Sequence, residues 1–68
     1  MTYTDRYNIV FDFHKRHSPS KNNAEYWEKV SNDMIALTQK YNDEFMTSLL
    51  VAVYNELSRN AKEKSNDG

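Results

Sequence analysis

Apolar residues fall along this chain at helical spacing in three stretches. The most regular is Trp27, Val30, Met34, Leu37 and Tyr41. Its three-four-three-four steps place five large side chains on one narrow helix face. The spacing predicts a helix over 23–41. A second helix is predicted over 3–16, where Tyr3, Tyr7, Val10, Phe11 and His14 share one face while Ile9 and Phe13 fall on an adjoining one. At about 100° per residue these cover an arc of roughly 200°, wide for a helix in so short a chain. A third is predicted over 44–61, where Phe45, Met46, Leu49, Leu50, Val53, Tyr54 and Leu57 spread over an arc of roughly 180°. Val51 lies outside that arc. The β-branched Val51 and Val53 permit a strand, but the segment lacks the alternation a strand requires.

Each predicted helix has a start signal. Thr2 with Asp5 has capping-box spacing, and Asn22 with Glu25 repeats it with an amide oxygen in place of the hydroxyl. Asn42-Asp43 is a tight break at which either residue can cap the third helix, and Asp43 and Glu44 set negative charge at its N-terminal end. Between the first two helices, His17-Ser18-Pro19-Ser20-Lys21-Asn22 reads as a connector, because proline excludes a continuous helix. Two favourable pairs one turn apart are expected, Asp12 with Arg16 and Glu25 with Lys29. The expected architecture is all-α: a three-helix arrangement in which the second and third helices form an antiparallel hairpin, the first packs across them, and the third is most central. The folded domain is expected over 1–58. Residues 59–68 carry no apolar side chain larger than alanine and are expected to fray.

Composition narrows the functional classes. Sixty-eight residues make one domain with a thin stability margin, and with no cysteine neither a disulfide nor a thiolate metal site can reinforce it. An aromatic share of 13% favours a packed core despite a mean hydropathy of -0.95. The net charge of -1 is neither the footprint of a dedicated nucleic-acid binder nor that of an acidic DNA mimic. No apolar run approaches the ~20 residues that cross a bilayer, and the first residues do not read as a signal peptide. No membrane partner is expected, and a cytoplasmic location is the default.

Candidate chemistry is sparse. His14 and His17 lie three apart and could share a metal, but no carboxylate of the first helix falls on their face, so a distal ligand such as Glu28 would be needed. Helix-end electrostatics explain both histidines more simply. His14-Lys15-Arg16-His17, with Lys21 close by, is the densest positive cluster and the natural place for a phosphate or an acidic partner. A helix-turn-helix is disfavoured, since the outer side of the third helix offers Glu44, Thr47, Ser48, Asn55 and Ser58 without a basic group. Neither histidine has a nucleophile-and-base constellation around it, so no enzyme, no metal and no cofactor is expected.

What stands out is surplus apolar surface. Ile9, Phe13, Ile35 and Val51 exceed what a small core needs, and several such residues on one small domain point to a contact surface. The expected anchors are Ile9, Phe13 and Ile35, with Lys15, Arg16 and Lys21 as a charged rim. A protein partner is expected, a second copy of the chain being one form of it. Nucleic-acid binding through the basic end of the first helix is the alternative, and a structural subunit of a larger assembly is another.

Three segments carry a family resemblance: Tyr7-Asn8-Ile9-Val10-Phe11-Asp12-Phe13-His14-Lys15, Tyr26-Trp27-Glu28, and Leu49-Leu50-Val51-Ala52-Val53-Tyr54-Asn55-Glu56-Leu57. They resemble small uncharacterised helical proteins carried by phages and prophages of low-GC Gram-positive bacteria. The resemblance implies an origin more than an activity. It implies a non-catalytic protein in the host cytoplasm that binds and redirects host machinery, such as a polymerase, a replication factor or, as anti-CRISPR proteins do, a defence nuclease.

Overall fold

In a computed structural model the chain forms α1 (Tyr3–Arg16), α2 (Ala24–Tyr41) and α3 (Glu44–Asn66). Residues 1–66 are described, with side chains through residue 63. The start of α1 is the expected capping box: Thr2 Oγ1 accepts the Asp5 amide at 3.1 Å, and Asp5 Oδ2 accepts the Thr2 amide at 3.2 Å. Both donors would otherwise be orphans of the first turn. The start of α2 differs by one residue from the expectation. Asn23, not Asn22, is the cap, its side chain accepting the Tyr26 amide at 2.8 Å. Glu25 points along the helix to Lys29, 3.4 Å away, giving the expected pair.

The two-residue joint between α2 and α3 uses both of its members. Asn42 closes α2 in the left-handed region, φ 45° and ψ 54°, and its amide reaches Thr38 O at 3.0 Å. Asparagine is among the few non-glycine residues that accept this conformation readily. Asp43 then opens α3, its Oδ1 accepting the Met46 amide at 2.8 Å.

With so short a joint, α2 and α3 turn back on each other, and Trp27 meets Tyr54 edge-to-face with ring centroids 5.5 Å apart. At the other side of α3, Tyr3 and Tyr7 of α1 meet Phe45, so α1 and α3 start at the same end and run parallel. The three helices thus run up, down and up, with α3 packed against both others. The backbone of α1 lies closer to α3 than that of α2 does. Trp27, Met34, Leu37 and Tyr41 of α2 pack partly against the core, and Ala52 of α3 lines an open groove beside α1.

The core is Val10, Phe13, Val30, Met46, Leu50, Leu57 and Ala61, with Trp27, Met34, Leu37, Tyr41, Leu49, Val53 and Tyr54 packed partly against it. Ala61 corrects the expected boundary at residue 58. It is 2% exposed, four residues after the buried Leu57, so the inner face of α3 continues past the last large apolar residue and the helix reaches Asn66 instead of ending near residue 61. Residues 59–66 continue α3 as helix; the expectation for residues 67–68 lies outside the described residues.

Candidate functional site

The wide apolar arc of α1 is two stripes, and the core takes only one. Val10 and Phe13 are buried, and Arg6 and His17 extend the same stripe by one turn in each direction, both half-buried. The other stripe is left outside. Tyr3, Tyr7 and Phe11, spaced one turn apart, are 64%, 55% and 63% exposed. Phe45 of α3 adds to it, with its ring centroid 5.2 Å from Tyr3 and 5.7 Å from Tyr7 in edge-to-face geometry. Beyond them a shallow groove of about 510 Å³ runs between α1 and α3, walled by Val10, Phe11 and His14 on one side and by Leu49, Ala52 and Val53 on the other. Lys15 Nζ stands 5.4 Å from the centre of the Phe11 ring. At ~200 Å² per aromatic side chain, the four rings alone leave on the order of 450 Å² of largely apolar surface in one place. That is as large as the largest patch on an ordinary soluble monomer, a size that marks interaction sites.

Polar bonds fix α1 at both ends and so hold this face in position. At the N-terminal end, Arg6 Nε donates to Asp43 Oδ2 at 2.8 Å, in a part-buried pair that joins α1 to the α2–α3 joint. The Met46 amide and the Arg6 guanidinium hold the Asp43 carboxyl below its ordinary pKa of 3.8. The amide and hydroxyl of Thr2 lower that of Asp5 in the same sense. At the C-terminal end, the His17 ring lies 2.8 Å from Asp33 Oδ2 and Arg16 lies 3.1 Å from the same oxygen. The Tyr26 hydroxyl donates to His17 O at 2.6 Å, and Ser18 Oγ donates to His14 O at 2.7 Å. Rings continue the junction inward: Phe13 meets His17, His17 meets Tyr26, and Tyr26 meets Trp27, each edge-to-face.

These positions revise the expected contact residues. Phe13 is fully buried, so it is a core residue and cannot anchor a partner; Ile9 is half-buried against the same core. The large α1 side chains at the surface are instead Tyr3, Tyr7 and Phe11. Ile35 is 53% exposed, but it sits on α2 rather than beside the aromatic face. Lys15 and Lys21 are exposed. Arg16 does not form the expected side-chain pair with Asp12; it reaches the Asp12 backbone carbonyl at 3.4 Å and pairs with Asp33 across the helix junction, where the stronger partner is a carboxylate already held by His17. Lys21, Arg16, His17 and Lys29 do come together, around an open cavity of about 410 Å³ at the start of α2. Asp33 and Glu25 offset the charge of Arg16 and Lys29 there.

The carboxylate that meets His17 is Asp33, not Glu28. Among the described residues no three His, Asp or Glu side chains are grouped to hold a metal ion, and no helix is long and apolar enough to cross a membrane. Sequence reasoning missed the importance of the Tyr3, Tyr7, Phe11 stripe because helical spacing makes it look like core. One signal was present: two of its three members are tyrosines, whose hydroxyls suit a boundary with water better than leucine or isoleucine would. No protein-family model, curated protein or solved structure matches this chain.

Proposed function

We propose that this protein is a non-catalytic binding module that acts by contact, an inhibitor or regulator of a host protein encoded by a phage. The observation that supports this reading is the exposed aromatic face of Tyr3, Tyr7, Phe11 and Phe45 with the α1–α3 groove beside it. Aromatic side chains are the residues on which binding energy concentrates at protein interfaces, since each removes much apolar area while ordering few torsions. Tyrosine hydroxyls and Lys15 at the margin supply the polar rim such a surface needs. Counter-defence in the manner of anti-CRISPR proteins is one version of this role.

The test is affinity capture from lysate of a low-GC Gram-positive host, with wild type beside Phe11→Glu and Tyr7→Glu, followed by mass spectrometry. The reading requires a host protein that wild type retains and both variants lose while circular dichroism stays unchanged. Identical captures by all three proteins would remove it.

The second reading is nucleic-acid binding by Lys15, Arg16 and Lys21, of which Arg16 and Lys21 line the basic cavity at the start of α2. The pairing of Arg16 with Asp33 and Lys29 with Glu25 weakens it, because a phosphate would have to compete with carboxylates already in place. A low-salt mobility shift that disappears when Lys15, Arg16 and Lys21 are neutralised together would restore it.

A further inference from the structure

We draw no further inference here: the strongest candidate, the exposed aromatic face of Tyr3, Tyr7, Phe11 and Phe45 with the groove between α1 and α3, belongs to the site already described, and nothing in the structure shows what covers it.

Discussion

Arg6 and Asp43 are 37 residues apart in sequence, yet Arg6 Nε donates to Asp43 Oδ2 at 2.8 Å while the other oxygen of the same carboxylate caps α3 through the Met46 amide. One side chain therefore opens a helix, follows the left-handed closure of α2 at Asn42, and holds α1 in place. The arrangement needs the carboxylate ionised.

Its pH dependence follows from the direction of the shifts. Asp43 and Asp5 both titrate below their ordinary value of 3.8 in the folded chain, so the unfolded chain binds more protons in that range. The stability they contribute is fully present above the unfolded value and is lost as pH falls through the folded ones. Urea midpoints should hold steady at higher pH as far as these two groups are concerned and fall below about pH 4, near the ordinary value of 3.8. In Asp43→Asn, which keeps an acceptor for the Met46 amide, the midpoint at neutral pH is lower and the acid decline is shallower.

Phe11 and Phe13 give the sharpest contrast between the two stripes of α1. Phe13→Ala empties a fully buried site and should cost about 3–5 kcal/mol. That is a large part of the whole stability of about 3–10 kcal/mol expected at this size, so the variant's urea midpoint should fall far below that of wild type. Phe11→Ala removes a ring that is 63% exposed and should stay within about 0.5 kcal/mol of wild type at low protein concentration. Urea titrations followed by circular dichroism distinguish the two.

The junction at the end of α1 should respond to smaller changes. Tyr26→Phe deletes only the hydroxyl that donates to His17 O and should lower stability by about 0.5–1.5 kcal/mol. Asp33→Ala releases both His17 and Arg16 and should lower it by about 1 kcal/mol, its partly exposed position reducing the effect. In Asp33→Ala, loss of near-ultraviolet ellipticity from the Tyr26 and Trp27 rings, with helicity retained, would mark local loosening of the junction.

Truncation tests the extension of α3. A chain ended after residue 58 loses the buried Ala61 and exposes Leu57, so its melting temperature should fall by several degrees. A chain ended after residue 63 keeps both and should melt close to wild type. Equal melting of wild type and the shorter chain would mean that the last turns contribute nothing.

The helices and two of their caps were legible in sequence because they depend on neighbours within one turn. Thr2 with Asp5, and the Trp27-to-Tyr41 spacing, are local patterns with local consequences. The exposed aromatic face was not legible in the same way. Both stripes of α1 are apolar at helical period, and periodicity alone cannot say which one meets α3. The choice depends on the polar residues that end the buried stripe: Arg6 finds Asp43, and His17 finds Asp33 on the next helix. Such pairs are invisible until the chain is folded. The α3 terminus was missed for a different reason, since an alanine four residues after Leu57 is too small to register as an apolar signal yet fits a helix contact.

Because α1 is bolted at Arg6 and again at His17, it cannot roll about its own axis to exchange one row of rings for the other without breaking both fastenings. Tyr3, Tyr7 and Phe11 are thus presented at a fixed azimuth before anything binds. A surface held rigid in advance loses little freedom on docking, which is how a chain this small can offer a competent grip.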